Sequence, residues 1–290
     1  MLLRAFGKIN LSLRIHARRE DGFHEIGTIL QTIDWFDEIH MERANGFEFT
    51  AVGAPQGEDN LVVRAVRSFE RITGIPVHLH IRLTKTIPTG AGLGGGSADA
   101  AASLLAFARL WGGAPVSLLR EVAAGIGSDI PFFLSGGTAL GLGRGEEIYP
   151  LVDLPVHWVV IVRPAFGVST AEAYSWYDED RTAGLKEPRE LQVLPVPWPS
   201  RAAQMVNDLE PPVMRRHPEI TEIKAALKNG GAVASSMSGS GSAVFGLFRT
   251  RAAAAKMIGP LARGGAKTLL TRTLTRAEYE RRSRVVAKRA

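Results

Sequence analysis

Apolar and polar residues alternate along several stretches of the chain with the two-residue period of half-buried strands. The clearest early case is 2–15, where Ile9, Leu11, Leu13 and Ile15 share one face. Lys8 and Asn10 then point together to the other face. By pattern alone that face is a solvent-facing strand edge. Arg18, Arg19, Glu20, Asp21 and Gly22 make a turn, followed by Phe23, His24 and a second apolar segment over 26–39. Asp-Gly between strand-like segments predicts a hairpin-type connection. Taken alone, Phe23 reads as a core anchor and His24 as structural. A short strand is expected over 47–52. Asn60 is the N-cap expected for a helix over 61–73, with Gly74 behind it. Residues 77–83 alternate again, with His78, His80 and Arg82 on one face. No carboxylate or third histidine lies nearby in sequence, so a metal site there is not expected.

Beyond residue 88 the period changes. A helix rich in Ala and Leu runs from Ser97 to Trp111 and ends at Gly112-Gly113. A second covers 117–124. Ser128 or Asp129, with Pro131 close behind, reads as an N-cap. A short strand passes through Ala139 and Leu140. The change of composition at 150–155 is the expected domain boundary, which divides the chain into 1–152 and 153–290. A buried-type strand follows at 158–162. Ser169 and Glu172 form a capping box opening a helix that carries Tyr174. Residues 178–200 read as a surface loop, Asn207-Asp208 opens another segment, and 219–228 is helical. A small-residue loop at 235–242 precedes a strand at 243–248. It is too short for a linker and reads as a tight turn that meets a ligand. A helix over 251–261 and a strand over 268–273 complete the pattern.

The stretch that carries chemistry is 88–102. Five of the seven residues from Gly90 to Gly96 are glycine. Glycine loses the most entropy on ordering, so such a run answers a need for unusual backbone angles or for close approach. A glycine loop feeding a helix N-terminus offers free N–H groups and the positive dipole end, a site for phosphate. Gly90, Gly92 and Gly95 match the dinucleotide spacing, but residues 85–88 separate them from the strand, and no acid stands some twenty residues on. No Gly-Lys-Ser/Thr closes the loop as in a Walker A sequence. A lysine for the phosphates comes from elsewhere or is absent.

Bulk properties narrow the classes. The chain has no cysteine, which removes disulfides and thiolate metal sites. No apolar run is long enough for a membrane span and the N-terminus lacks a secretion signal, so a cytoplasmic enzyme without membrane partners is expected. The net charge of +6 suits anionic small substrates. Basic–aromatic interleaving, the mark of nucleic-acid binding, is missing. The basic residues are dispersed except over 276–289, which reads as a solvated terminal helix.

Three stretches together are more specific than any one: Lys8-Ile9-Asn10-Leu11, the glycine run of 88–102, and Ser238-Gly239-Ser240-Gly241-Ser242. In this order and spacing they resemble the three motifs of the GHMP small-molecule kinases. Arg19-Glu20-Asp21-Gly22-Phe23-His24, the stretches 127–133 and 167–170, and Asn207-Asp208-Leu209-Glu210 are similar to the branch that phosphorylates a cytidine diphosphate-linked erythritol. The resemblance covers about residues 3–270. It implies ATP as phosphoryl donor, with Mg²⁺, and small-molecule partners only. It implies an α+β fold of two domains, the first like ribosomal protein S5 domain 2, the second ferredoxin-like, with the active site between them. It puts the catalytic pair on Lys8 and Asp129. The phosphate loop falls on Gly90-Ala91-Gly92-Leu93-Gly94-Gly95-Gly96-Ser97-Ala98-Asp99-Ala100. Phe23 and Tyr174 fall on the aromatics that sandwich cytosine, and Asn10, His24 and Thr170 on substrate contacts. Asp99 has two readings, a ligand reaching Mg²⁺ or an acid facing away at the helix start, and we take the second. Phe6-Gly7 stands where the family usually has Pro-Ala, and Phe23 where it often has Tyr.

Overall fold

The computed structural model describes residues 1–111, 115–185 and 205–283. The strands segregate into two sheets. The first holds β1 (Leu2–Arg18), β2 (His24–Arg43), β3 (Glu48–Val52), β4 (Leu79–Thr84), β5 (Thr138–Leu142) and β6 (Glu147–Pro150). Its order is β3-β4-β2-β5-β6, with β1 paired to β2. Helices α1 (Leu61–Thr73), α2 (Gly95–Leu110) and α3 (Val116–Ile126) cover it, with Phe69, Leu104 and Phe107 in the core they close.

The second sheet holds β7 (Trp158–Arg163), β8 (Ala234–Met237), β9 (Val244–Phe248) and β10 (Lys267–Arg272), in the order β10-β7-β9-β8. Helices α4 (Thr170–Thr182), α5 (Glu210–Arg216) and α6 (Glu219–Asn229) connect β7 to β8, and α7 (Arg251–Ala255) and α8 (Ile258–Leu261) connect β9 to β10. This βαββαβ order is ferredoxin-like, as the family resemblance implies.

β1 and β2 form one long antiparallel hairpin. β1 carries register shifts between Phe6 and Lys8 and between Asn10 and Ser12. Each bulge turns the strand, so one element serves four cores. Leu3 and Ala5 face the first helical layer, and Phe6 a small cluster with Leu274 and Tyr279. Ile9 and Leu11 pack against Val159, Ile161 and Phe245 between the two sheets, and Leu13 and Ile15 join the core of the second half. The other face is covered as well: Lys8 and Asn10 are each 3% exposed. The solvent-facing edge is therefore a buried seam, closed by elements remote in sequence.

Asn60 caps α1 through the Val62 N–H, and Ser169 and Glu172 form the expected capping box on α4. Other expectations are corrected. α2 begins at Gly95 rather than Ser97. Neither Ser128 nor Asp129 caps the short 3-10 helix Pro131–Leu134, whose N-cap position is Ile130. Residues 178–182 belong to α4, and 235–237 to β8, where they pair with β9. The helix expected over 251–261 is two. The basic tail is not simply solvated: α9 (Arg276–Ser283) docks on the first sheet through buried Tyr279, with Arg282 paired to Asp34 at 2.5 Å. Gly112-Gly113, residues 186–200 and residues 284–289 lie outside the described residues.

Candidate active site

A cleft of about 1290 Å³ runs between the two halves. Lys8, Asn10, Phe23, His24, Asp129, Thr170 and Tyr174 all line it, as do Gly90, Gly92, Gly94 and Ser97 of the glycine loop.

β1 delivers the lysine. Lys8 Nζ donates to Asn10 Oδ1 at 2.6 Å and stands 3.2 Å from Asp129 Oδ2. Asn10 is oriented from behind: its Nδ2 donates to Thr28 Oγ1 at 2.8 Å, and that hydroxyl donates to Ser12 O. The ammonium is buried, whereas the Asp129 side chain is 37% exposed toward the cleft. Lys8 therefore lies in the wall of the cleft beside a carboxylate that is more open to it.

The glycine loop is bound to the same strand, since the Lys8 N–H donates to Leu93 O at 2.9 Å. Two glycines are required by contact. At Gly94 (φ +68°) a Cβ would lie 2.8 Å from the Phe133 ring and 3.1 Å from Lys8 Cε. At Gly92 (φ +74°) it would lie 2.0 Å from the Ser238 carbonyl oxygen. There the loop meets the Ser-Gly-Ser turn: Ser238 Oγ donates to Gly92 O at 2.8 Å, and Asn207 Nδ2 holds Met237 O and Gly239 O at 2.9 and 2.7 Å. The expected ligand-meeting turn thus abuts the glycine loop.

Not every residue of 90–100 reaches the cleft. Ala91 and Leu93 are buried in the core between the sheets, and Ala98 and Ala100 in the first core. The Ala98 N–H already donates to Gly94 O. Asp99 turns inward. Lys85 Nζ lies 2.7 Å from its Oδ2 and 2.5 Å from Asp37 Oδ2, and Asp37 accepts the Thr86 and Ile87 N–H groups. Burial raises the Asp99 carboxyl well above the usual carboxylate range, Lys85 opposes the rise, and Asp37 adds to it. The helix-start reading of Asp99 agrees with this inward direction, though its partner is a lysine.

At the far end of the cleft Tyr174 stacks on His24, centroids 5.1 Å apart and planes 23° apart. His24 Nε2 lies 2.9 Å from Asp178 Oδ1. Burial, and then the charge of Asp129, raise the Tyr174 phenol, which stays neutral. Phe23 is half exposed, with the Arg144 guanidinium 5.1 Å from its ring centre. The core-anchor reading of Phe23 fails: the ring stands at the cleft. Thr170 Oγ1 lies 3.1 Å from Ser240 Oγ. Sequence reasoning missed Asp178 and the bracing role of Asn207, and had Ser240 only as part of the ligand-meeting turn. Asp178 had a signal, since it stands one helical turn beyond Tyr174 on α4.

Hard oxygen donors facing the loop are few. Ser97 and Asp129 line the cleft, and among the described residues no group of three acidic, histidine or cysteine side chains converges as a metal cage. Hydroxyl and carboxylate oxygens are the donor class that Mg²⁺ takes. Among the described residues no helix is long and apolar enough to cross a membrane.

The sequence matches known proteins along most of its length. Residues 60–137 match the model of the GHMP kinases N terminal domain, and residues 198–267 that of GHMP kinases C terminal. The fold is therefore that of a GHMP kinase. A 4-diphosphocytidyl-2-C-methyl-D-erythritol kinase of Solibacter usitatus is 44% identical over 86% of this chain and 81% of its own length. That of Moorella thermoacetica is 42% identical over 94% of this chain and 99% of its own. A crystal structure of a 4-(cytidine 5'-diphospho)-2C-methyl-D-erythritol kinase, 32% identical, aligns with a TM-score of 0.75 over 94% of this chain and 99% of that one. The chain belongs to the 4-diphosphocytidyl-2-C-methyl-D-erythritol kinase family.

Proposed function

We propose that the chain transfers the γ-phosphoryl group of ATP to the tertiary 2-hydroxyl of 4-diphosphocytidyl-2-C-methyl-D-erythritol, a step of non-mevalonate isoprenoid precursor synthesis. The observation that carries this reading is the Lys8–Asp129 pair at 3.2 Å, in the same cleft as the glycine loop and the Phe23 and Tyr174 rings.

Phosphoryl transfer rests on positioning and charge stabilisation more than on covalent chemistry. The glycine loop and the first N–H groups of α2 receive the ATP phosphates, aided by the helix dipole. Lys8 supplies the cation that the loop lacks, and its ammonium stabilises charge on the phosphoryl group in flight. Asp129 accepts the proton of the attacking hydroxyl as that oxygen bonds to the γ-phosphorus and the bond to the β-phosphate oxygen breaks, leaving ADP. A tertiary alcohol is a poor nucleophile, so the orientation of Asp129 by Lys8 and Asn10 counts heavily. Ser97 and Asp129 are the protein oxygens that would be available to a Mg²⁺ bound with ATP, which would supply neutralisation of phosphate charge.

Cytosine is taken between Phe23 and Tyr174, with His24 fixing the Tyr174 ring through their stack. Phe23 keeps the stacking face of the more usual tyrosine and loses only a hydroxyl. Asn10 and Thr170, which line the same cleft, serve as substrate contacts in this reading. Two polyanionic substrates account for the basic balance of the chain. The same reading divides the chain into a 1–152 half and a 153–290 half, supported by the two sheets lying on either side of that point. Both substrates being soluble, a cytoplasmic location goes with it. ATP consumption with the cytidylated erythritol, compared with the uncytidylated sugar phosphate, tests the assignment.

A further inference from the structure

Tyr279, on α9, is not part of the cleft, yet it touches the backbone segments that carry both members of the pair. Its ring packs edge-on against Phe6, centroids 6.0 Å apart, two residues before Lys8. Its hydroxyl donates to Phe133 O, four residues after Asp129. The Phe133 ring in turn occupies the space beside Gly94 that a Cβ would need, with Lys8 Cε on the same side. A path therefore runs from Lys8 through Phe6, Tyr279 and Phe133 to Gly94, beside which Lys8 Cε also lies.

The seat for this tyrosine is built. At Gly136 (φ +60°) a Cβ would lie 2.3 Å from the Tyr279 ring, so the ring lies directly on the backbone just past the 3-10 helix. Burial raises the phenol, which stays a hydrogen-bond donor. The helix is anchored on both sides. Arg282 Nη1 lies 2.5 Å from Asp34, with its guanidinium 5.2 Å from the Phe6 ring centre. The Arg276 N–H donates to Asp153 Oδ2 at 2.8 Å, and its Nη2 to Thr138 O at 2.7 Å. Just before the helix, Leu274 exchanges bonds with Thr32 and Gln31 on β2. A terminal helix with no group in the site thus spends its buried contacts on the two segments whose separation sets the site.

We propose that Tyr279 is a positioning residue that sets the Lys8–Asp129 geometry from outside the cleft. This rests on the reading of Lys8 and Asp129 as the catalytic pair. In that role it governs the chemical step more than substrate binding, since no residue of α9 itself lines the cleft.

Tyr279→Phe keeps the ring in its seat and removes only the hydroxyl. The expected result is a fall in kcat of about 5- to 30-fold, below the roughly hundredfold worth of a full 1 Å misplacement. Both KM values stay within about twofold. Arg282→Gln, at a partly exposed position, loosens the same helix and lowers kcat by about two- to fourfold. Phe69→Leu, on the buried face of α1, serves as a control that lowers thermal stability and leaves kcat at the wild-type value. Wild-type kcat in Tyr279→Phe overturns the proposal, as does an equal fall in Phe69→Leu. If Tyr279→Phe does not fold, wild-type kcat in Arg282→Gln overturns it instead. Asp129→Asn separates the two levels. A loss of about two to four decades there supports the proton-acceptor role, and with it an unchanged Tyr279→Phe removes positioning alone. Retained turnover in Asp129→Asn removes the role and the proposal together.

Discussion

Gly92 and Gly90 offer a matched pair of perturbations. Both have positive φ, +74° and +66°, but only Gly92 is crowded. An alanine methyl at Gly90 meets nothing within 4 Å, whereas at Gly92 it would stand 2.0 Å from Ser238 O. An L-residue in the left-handed region costs about 1–2 kcal/mol, and both variants carry that cost. The Gly92 methyl overlaps the carbonyl by more than about 1 Å against ordinary van der Waals separation, and the oxygen belongs to backbone. Forcing such a contact costs about 1–3 kcal/mol more. The two loops must then separate, breaking Ser238 Oγ to Gly92 O. We expect Gly90→Ala to lose about 1–2 kcal/mol and Gly92→Ala about 2–5 kcal/mol in urea unfolding. Because the phosphate loop itself moves, kcat/KM for ATP falls about 10- to 100-fold further in Gly92→Ala than in Gly90→Ala. A coupled assay for ADP release measures it. Equal stability and equal kcat/KM in the two variants would refute the idea that the glycine loop and the Ser-Gly-Ser turn form one cradle.

Two more outcomes follow from the site and its support. Tyr174→Ala removes a stacking face worth roughly 1–3 kcal/mol, so KM for the cytidylated substrate rises by about one to two decades while KM for ATP holds. Steady-state titration of each substrate checks this, and parallel rises in both KM values contradict the sandwich. The raised Asp99 carboxyl binds its proton more tightly in the folded than in the unfolded chain, so its stabilising effect is full below the ordinary carboxylate range and is lost as pH rises through the elevated folded value. Asp99→Asn therefore gains stability relative to wild type as pH rises from about 5 to 8; urea midpoints with the same pH dependence in both proteins would show that this group does not titrate.

Much of the fold is legible in local pattern. Alternation marks β1 and β4, and Asn60 and Ser169 mark the starts of α1 and α4 where their side chains bond the first-turn amides. The glycine run declares an anion cradle before any partner is known. What local pattern misses is set by distant chain. Lys8 and Asn10 carry the signature of an exposed edge, but the glycine loop, the 127–133 segment and the Ser238 turn close over them. Asp129 has the flanks of a helix cap, yet its carboxylate is drawn to Lys8 and the 3-10 helix starts without it. Ser235 and Ser236 look like loop residues until β9 supplies a ladder. α2 starts two residues early, at Gly95, where a side chain would meet Ile87 and Lys85 and only glycine fits. The tail reads as solvated because its charges outnumber the single Tyr279 that docks it.

The most direct measurement is phosphoryl transfer from ATP to two acceptors, 4-diphosphocytidyl-2-C-methyl-D-erythritol and the same sugar phosphate without its cytidylyl group. Product is followed by phosphorus NMR alongside ADP release. The predicted result is a new phosphomonoester on the cytidylated acceptor and a kcat/KM lower by at least about one and a half decades without cytosine, the sum of two stacking contacts. Equal turnover of both acceptors, or ADP release without a new phosphomonoester, would contradict it.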